Sequence, residues 1–283
     1  MKLRIATCQQ LPEPDYDEAP LAAALAAAGY DAPLLGWDDP DVDWDAPIPT
    51  LIRSTWNYPL APAAFEAWLA RASAAAPLCN PPDIIRGNLY KRYLLDLADR
   101  GVPVVPTTLV ERDATADLAT IFADAPSIVI KPEVGAGSID TRRFAPNDPE
   151  ALVHLASITS RGAALVQAYV DSVDTYGERS LVWIGGDFTH SVRKTPRFSG
   201  DAEQITGPFP LSPDELAVAQ AALAPLTSRI LYARVDLARS ATGAPMVMEL
   251  ELIEPSLFFW KHPPAADLFV AALTRWLSKH YTY

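Results

Sequence analysis

Short apolar runs alternate with longer amphipathic stretches along the first third of the chain. Residues 3–8 and 50–54 are apolar and have the length of buried strands. Residues 20–28 are rich in alanine and leucine, which have high helix propensity. Residues 63–75 place their apolar side chains on one face at helical spacing. The order strand, helix, strand, helix predicts an open α/β domain over residues 1–85.

The middle of the chain continues this alternation. Residues 88–100 and 149–159 carry apolar side chains at helical spacing, whereas residues 128–131 and 165–170 are short apolar runs. Strands interleaved with helices in this way are typical of a mixed lobe with one sheet. We therefore predict a second domain over residues 86–168.

The last part of the chain begins with a hairpin signal. Residues 180–184 and 188–193 are apolar runs separated by a segment with two adjacent glycines, which favours a tight turn. Two amphipathic stretches follow, at residues 213–226 and 267–279, and predict helices. We predict that residues 169–283 form a third domain, so that the whole chain is an α/β protein with α+β lobes.

Composition excludes several classes of partner. The chain has 283 residues, 49% of them hydrophobic, and a formal net charge of −12. This charge argues against nucleic acids and anionic membranes, because both attract clustered basic residues. No stretch approaches the ~20 apolar residues of a membrane span, and no signal-peptide pattern is present, so we expect a cytoplasmic protein. Cys8 and Cys79 lack metal or redox spacing and are expected to be small buried residues.

A lysine at the end of a strand, followed by a glycine-rich loop, is the first sign of chemistry. Residues 129–138 place Lys131 ahead of Gly135, Gly137 and Ser138. A point charge beside backbone N–H groups that can approach closely is suited to a polyphosphate. The lysine precedes the glycines, so the order excludes a P-loop, and no Gly-x-Gly-x-x-Gly dinucleotide motif occurs. Alone, this segment could equally be a strand-end lysine before a hairpin turn.

An acid-rich strand supplies the second half of the chemistry. Glu249 and Glu251 are two residues apart in the strand that we predict around residues 248–255, so their carboxylates share one face. Asp236 on the preceding predicted strand adds a third hard oxygen ligand, and such ligands suit magnesium held between protein and phosphates. The lysine half and the acid half together indicate chemistry on Mg-ATP.

Several segments of the chain resemble, in the same order, the ATP-grasp superfamily and specifically its glutathione-synthetase-like ligases. The likeness covers about residues 85–260. Each motif is weak alone, but their common order is specific. The motifs are Asn-Leu-Tyr-Lys ending at Lys91, the turn at 101–107, Ile-Lys-Pro at 130–132, the apolar strand at 165–170, Gly-Glu-Arg at 177–179, and the acids from Asp236 to Pro255.

The resemblance implies an ATP-grasp fold preceded by an open α/β domain, and it implies roles for individual residues. Lys91 and Lys131 would contact the ATP phosphates, and the loop with Gly135, Gly137 and Ser138 would cover the γ-phosphate. Adenine would be read by Gln167, Tyr169 and Val170, the ribose by Glu178, and metal ions by Asp236, Glu249 and Glu251. The implied cofactors are ATP and one or two Mg²⁺ ions, with Mn²⁺ as a substitute.

The chain departs from the family pattern at several positions. Glu251 stands where the family usually has asparagine, which adds negative charge beside the transferred phosphate. The basic residue of the neighbouring strand falls at Arg193 or Lys194, and alternation alone leaves open which of the two faces the site. The ribose acid is ambiguous between Glu178 and Asp174, of which we prefer Glu178.

The resemblance implies a carbon–nitrogen ligase that activates a small carboxylate as an acyl phosphate for attack by an amine. Arg193 or Lys194 would supply the cation for the carboxylate and the oxyanion. The departures, with residues 53–58, are similar to a subgroup that includes the ligase closing O-ureidoserine to cycloserine. The alternatives are a ligase with two separate substrates, a kinase-like enzyme and a catalytically silent ATP-binding module. Homodimers are common among similar proteins, but the sequence does not fix the oligomeric state.

The first domain is expected to contribute to the substrate pocket, because ligands of α/β domains bind at the ends of strands. The substrate candidates are Arg53, Ser54, Thr55 and Asn57. Trp56 and Tyr58 are expected to pack between lobes rather than to bind substrate. Residues 195–209 lack periodicity but carry basic and glycine residues, so they are either a cover over the site or a plain surface loop.

Overall fold

Three β-sheets organise the protein, and the computed structural model describes residues 1–122, 125–145, 147–195 and 204–281. The first sheet is parallel, as expected when helices connect short buried strands. Its strands are β1 (Arg4–Thr7), β2 (Leu34–Gly36), β3 (Thr50–Ile52) and β4 (Leu78–Cys79), in the order β2-β1-β3-β4. Its helices are α1 (Glu18–Ala27), α2 (Pro62–Ala75) and α3 (Pro82–Leu89), with a 3₁₀ turn at Tyr58–Leu60. The predicted α/β fold is confirmed here.

The second sheet is antiparallel and holds the glycine-rich loop between two of its strands. It is preceded by α4 (Tyr93–Asp99). Its strands are β5 (Thr107–Val110), β6 (Ile128–Pro132), β7 (Arg142–Phe144) and β8 (Ala164–Ala168), in the order β5-β8-β6-β7. Helices α5 (Leu118–Ile121) and α6 (Pro149–Thr159) complete this region.

The third sheet is antiparallel with five strands and carries the acid-rich segment. The hairpin across two glycines is confirmed. The strands are β9 (Glu178–Ile184), β10 (Asp187–Lys194), β11 (Ile205–Phe209), β12 (Tyr232–Arg239) and β13 (Pro245–Glu251), in the order β11-β10-β9-β12-β13. The helices are α7 (Ser172–Thr175), α8 (Pro213–Leu223) and α9 (Pro264–His280).

Two sequence-based elements are corrected by the structure. The helix predicted over residues 88–100 is wrong, because the chain leaves the helical path after Leu89 and α4 begins only at Tyr93. The segment predicted as irregular at 195–209 ends in strand β11, which pairs with β10. Residues 196–203 of that candidate cover lie outside the described residues.

The amino-terminal and carboxy-terminal parts of the chain share one hydrophobic core. Leu21 and Leu25 of α1 pack in the same cluster as Phe269 and Leu273 of α9. The buried Asn80 side chain adds hydrogen bonds between the first and third sheets, because its amide group donates to the carbonyl oxygens of Tyr232 and Leu252. The three sheets follow the three predicted domains in order, but the boundaries near residues 85 and 168 stay a prediction. Among the described residues, none of the helices combines the length and apolar character that crossing a membrane requires.

His190 on β10 makes stability depend on pH. The ring is 3% exposed, its Nε2 lies 3.0 Å from the Leu257 carbonyl oxygen, and the centre of the His262 ring lies 4.9 Å from its own centre. Burial, with a smaller contribution from His262, lowers the pKa of His190 to about 4 from an ordinary value of 6.5. The unfolded chain then binds more protons than the folded one between these values, so stability is full above pH 6.5 and falls towards pH 4.

We expect the His190→Gln variant to lose less stability than the parent protein when the pH is lowered from 7 to 4.5. The difference corresponds to an upper limit of about 3 kcal/mol in the free energy of unfolding, measured by urea denaturation at both values. His280→Gln, at an exposed position, serves as the control and should keep the parental pH dependence. Equal losses in all three proteins would contradict the prediction.

Candidate active site

A cavity of about 690 Å³ is lined by residues from the second and third sheets, from the glycine-rich loop and from loops of the first domain. This volume is in the range of small-molecule and cofactor sites. Most of the residues predicted from the sequence meet on its wall. Those on the wall are Lys91, Lys131, Gly135, Gly137, Ser138, Gln167, Tyr169, Val170, Glu178, Lys194, Glu249 and Glu251.

Glu249 lies between the two lysines that we predicted to bind phosphate. Lys131 Nζ at the end of β6 is 2.7 Å from Glu249 Oε1, and Lys91 Nζ is 3.3 Å from Oε2. Lys91 lies in the break between α3 and α4, where its backbone N–H donates to the Glu133 carbonyl oxygen. Burial raises the pKa of Glu249, but the two lysines outweigh this effect and hold the pKa well below its ordinary value. The carboxylate is therefore ionised and neutralised by cations that a triphosphate also attracts.

A second set of ion pairs surrounds Asp236, which is 1% exposed. Its Oδ2 atom is 3.0 Å from Lys194 Nζ and 2.8 Å from Arg234 Nη2. The same guanidinium group contacts Glu251, and Lys194 also contacts Glu178. Strand register explains the cluster, because Asp236 pairs directly with Glu249 and Arg234 with Glu251 across β12 and β13.

Burial raises the pKa of every acid in this cluster, but the neighbouring cations offset it to different extents. Desolvation raises the pKa of Glu178 to about 8 despite the nearby Lys194 ammonium. Burial also raises the pKa of Glu251. For Asp236, the Arg234 and Lys194 charges overcome burial and hold the pKa well below its ordinary value. Glu178 and Glu251 line the cavity, whereas the predicted metal ligand Asp236 is not on its wall but contacts Lys194 and Arg234, which are. Acids with pKa values pushed apart in one cluster are typical of a functional site.

Strand alternation left open which of Arg193 and Lys194 faces the cavity, and the positions of the two side chains differ clearly. Lys194 is buried and lies on the cavity wall. Arg193 is absent from that wall, and its guanidinium carbon lies 5.7 Å from the centre of the Phe209 ring. Lys194 is therefore the cation of this pair that can reach a ligand in the cavity.

The glycine-rich loop lies against the first domain. Gly137 and Ser138 have φ angles of 61° and 60°, a left-handed conformation that glycine adopts easily and serine only at a cost. Val134 and Ala136 pack on the core of the first domain, and buried Glu133 forms an ion pair with Arg92 at the base of the loop. These contacts place the backbone of the loop along the cavity wall.

The predicted adenine segment follows β8 along another part of the cavity wall. Gln167 Nε2 donates to Thr107 Oγ1 at 2.8 Å, which links the segment to β5. The Tyr169 hydroxyl group donates to Asp174, and the Arg143 guanidinium carbon is 3.5 Å from the centre of the Tyr169 ring. Asp174, the alternative to Glu178, is thus engaged with Tyr169 and Arg143 and is not on the cavity wall.

The predicted substrate residues lie behind the wall rather than on it. Arg53 Nη1 donates to the Pro255 carbonyl oxygen at 3.0 Å, and Ser54 is buried beside Thr7. Thr55 is fully buried, and Asn57 bonds to Trp37 and Asp38 on the far side of the first domain. Direct substrate contact by these four residues is not supported by their placement.

Two aromatic residues expected to pack between lobes do pack there and also reach the cavity wall: the Trp56 indole N–H donates to the Glu254 carbonyl oxygen, and Tyr58 is buried in a core cluster with Ile253. Trp56 and Tyr58 line the cavity, together with Glu13 and Phe258. After β3 the chain turns into the 3₁₀ segment, so the residues just past the strand end are buried and those that follow reach the cavity.

Arg234 and Glu254, which are not among the candidate site residues predicted from the sequence, also line the cavity. A signal for Arg234 was present, since it precedes Asp236 by two residues in a strand and therefore shares its face. Glu254 follows the end of β13, where no periodicity predicts a side-chain direction.

The acids fit a hard divalent cation in chemistry. Asp236, Glu249 and Glu251 offer carboxylate oxygens, the ligands that Mg²⁺ prefers. Within the part of the chain that the structure describes, no three acid, histidine or cysteine side chains are grouped so as to hold a metal ion. Each of the three acids is instead paired with lysine or arginine. Phosphate groups that attract these cations would leave the acids available to a metal.

Comparisons with known proteins identify relatives of this chain. Residues 3–80 match the family model described as the N-terminal domain of D-cycloserine synthetase DcsG. The cycloserine biosynthesis protein DcsG of Streptomyces lavendulae is 36% identical over 278 residues, 92% of this chain and 93% of that protein. The crystal structure of D-cycloserine synthetase DcsG superposes with a TM-score of 0.88 at 34% identity and covers 97% of this chain and 99% of that one.

A more distant structure supports the fold alone. The ATP-grasp ligase PsnB, solved with its minimal precursor, Mg and ADP, has a TM-score of 0.61 at 16% identity and covers 96% of this chain and 98% of that one. The fold, together with the lysine and acid sets of the cavity, supports the use of ATP and Mg²⁺. The chain belongs to the family of the D-cycloserine synthetase DcsG and is an ATP-dependent carbon–nitrogen ligase with the ATP-grasp fold.

Proposed function

We propose that this enzyme closes an amino-acid-like substrate into a ring, as in the conversion of O-ureidoserine to cycloserine. The observation that carries the proposal is the likeness to DcsG over nearly the whole chain. The cavity supports it, because the lysine and acid sets line the same cavity as Trp56, Tyr58, Phe258 and Glu254. In a ring closure, carboxylate and nucleophile belong to one molecule, so one acceptor pocket suffices.

At the phosphate end of the cavity, binding of ATP would replace ion pairs between protein side chains by ion pairs with the phosphates and the metal ion. Lys91 and Lys131 would move from Glu249 to the α- and β-phosphates, and the backbone N–H groups of the loop at Gly135, Gly137 and Ser138 would cover the γ-phosphate. Asp236, Glu249 and Glu251 would hold one or two Mg²⁺ ions, or Mn²⁺ in their place. The cation would neutralise charge that develops on the phosphates during transfer.

The nucleoside end would be formed by Gln167, Tyr169 and Val170. Their segment is fixed to β5 by the bond between Gln167 and Thr107. Glu178 would face the ribose, and its raised pKa suits a role as a hydrogen-bond donor as well as an acceptor.

Ring closure would proceed in two balanced steps, followed for O-ureidoserine by a hydrolysis. A carboxylate oxygen of the substrate attacks the γ-phosphorus and ADP leaves, which gives an acyl phosphate. The substrate nitrogen then attacks the carbonyl carbon, inorganic phosphate leaves, and the nitrogen loses its proton. With O-ureidoserine, water then removes the carbamoyl group as carbon dioxide and ammonia.

Two cations of the cavity are placed to stabilise the oxyanion of the second step. Lys194 and Arg234 flank Asp236, and both are buried, which strengthens their interaction with a developing charge. Arg234 is held in a fork by Asp236, Glu251 and the Ser256 carbonyl oxygen. We therefore assign this role to Lys194 and Arg234 rather than to Arg193.

The test is ADP release from Mg-ATP with O-ureidoserine alone, compared with other small amino acids supplied with and without a separate amine. We expect O-ureidoserine alone to support turnover and to yield cycloserine by mass spectrometry. A requirement for both an acid and an amine would replace ring closure by a two-substrate ligase. ADP release with a phosphorylated product that accumulates would indicate a kinase-like enzyme.

A further inference from the structure

Glu254 is a buried acid on the cavity wall without a partner of opposite charge at contact distance. The residue is 7% exposed and lines the cavity beside Trp56 and Tyr58. Among the described residues, its own backbone N–H is the donor near the carboxylate, and no ion pair to it is formed. The neighbouring acids Glu249 and Glu251 differ in this respect, because each is paired with lysine or arginine.

The backbone around Glu254 is held in place from several directions. The Trp56 indole N–H donates to the Glu254 carbonyl oxygen at 3.2 Å, and Arg53 donates to that of Pro255 at 3.0 Å. Arg234 donates to the carbonyl oxygen of Ser256 at 3.2 Å. Three consecutive carbonyl groups are therefore fixed, and the Glu254 side chain starts from a rigid backbone. A buried charge in a rigid position is unfavourable unless a ligand compensates it.

The side chains around Glu254 favour a cation as the ligand that would compensate its charge. Trp56, Tyr58 and Phe258 present aromatic rings to the same cavity, and such rings attract ammonium groups. Burial raises the pKa of Glu254 to about 8, and Glu251 adds to the increase. A bound cation would reverse this shift, because a nearby positive charge favours the ionised carboxylate.

We propose that Glu254 binds the α-ammonium group of the substrate and thereby makes the enzyme specific for amino acids over plain carboxylic acids. The inference rests on the proposed function, since it places the substrate in the cavity with its carboxylate towards the cations around Asp236. Glu254 follows Glu251 by three residues on the same segment. A single small molecule can therefore present its carboxylate to the Lys194 and Arg234 side and its ammonium group to Glu254.

The experiment compares two enzymes with two substrates. The enzymes are the parent and Glu254→Gln, and the substrates are O-ureidoserine and its analogue without the amino group, 3-(ureidooxy)propanoate. In the parent enzyme we expect the analogue to lose about 100-fold or more in kcat/KM, because the buried carboxylate stays unpaired. In Glu254→Gln the preference should fall to a few-fold, since the loss affects only the substrate that carries the ammonium group.

Other roles of Glu254 give different results. A proton acceptor or a metal ligand would make Glu254→Gln lose activity equally on both substrates, which would overturn the proposal. Glu13→Gln is the matched comparison, because Glu13 lines the same cavity. It should keep the parental preference, and loss of the preference there would assign the ammonium group to Glu13 instead. Unchanged ATP binding and melting temperature show that each variant is folded.

The same assay distinguishes failure of the proposed function from failure of the inference on Glu254. If the parent releases ADP with another amino acid but not with O-ureidoserine, ring closure of O-ureidoserine is wrong, and the comparison is made with that amino acid and its analogue without the amino group. If the parent releases ADP equally well with acids that lack an amino group, the inference on Glu254 is wrong while the ligase remains. Absence of ADP release with every acid overturns both.

Discussion

Replacing Glu249 by glutamine is expected to lower the rate of ADP release by about 1,000-fold or more while leaving the protein folded. Glu249 contacts both of the lysines that we propose to bind phosphate, at 2.7 and 3.3 Å. The variant removes a carboxylate ligand for the metal and frees Lys91 and Lys131 from their partner. ATP binding should persist, since both lysines remain, so the loss should appear in kcat rather than in the affinity for ATP.

The measurement is substrate-dependent ADP release with Mg²⁺ varied over a wide range, beside ATP binding by calorimetry. Glu150→Gln is a matched control, because Glu150 is exposed in the first turn of α6, away from the cavity. It should retain parental turnover. A folded Glu249→Gln variant with more than about a tenth of parental turnover would refute the role assigned to Glu249.

Much of the fold and part of the candidate site could be predicted from the sequence, because these features depend on local signals such as turn residues and residue spacing. The glycines between β9 and β10 encode the hairpin, and the two-residue spacing of Glu249 and Glu251 places both carboxylates on one face. Lys131 ends a buried strand and precedes a loop with few side-chain restrictions. Each of these features depends on residues that are close in sequence, and pattern reasoning reads such features well.

The features that the sequence did not predict depend on contacts between distant segments. The helical pattern over residues 88–100 is continuous, but the structure interrupts it where Lys91 bonds to Glu133 and reaches Glu249, 158 residues later. Arg53 has a side chain suited to binding a substrate, yet it donates a hydrogen bond to the loop after β13. Trp56 and Glu254 meet in the cavity because that loop is fixed from the first domain.

The ion pairs in the cavity would stabilise the ligase when ATP is absent and would still allow it to bind ATP. Lysines and carboxylates placed for phosphates and metal would repel like charges if each set stood alone. Here Lys131 pairs with Glu249 and Arg234 with Glu251, so these lysine, arginine and carboxylate charges have partners before substrate arrives. Mg-ATP would carry both signs, so its phosphates could replace the carboxylates beside the lysines while the metal ion replaces the cations beside the acids.

Replacing Asp17 by asparagine is expected to destabilise the protein by about 2–4 kcal/mol, because Asp17 joins the first domain to the loop after β13. The carboxylate is 1% exposed. It accepts hydrogen bonds from the backbone N–H groups of Leu257, Phe258 and Phe259, at 2.6, 2.9 and 2.6 Å. Arg53 lies 3.5 Å away and completes the pairing.

Asparagine can accept through only one oxygen, so donors now shared between two oxygens would lose a partner, and the Arg53 charge would lose its counterion. Burial raises the pKa of Asp17, which shows that the charge itself is costly and limits the expected loss. Urea denaturation measures the effect, with the exposed Asp41→Asn as the control for the same chemical change. Equal stability of the two variants would show that the loop is held without Asp17. A selective loss would instead show that the segment carrying Glu254 depends on the amino-terminal domain for its position.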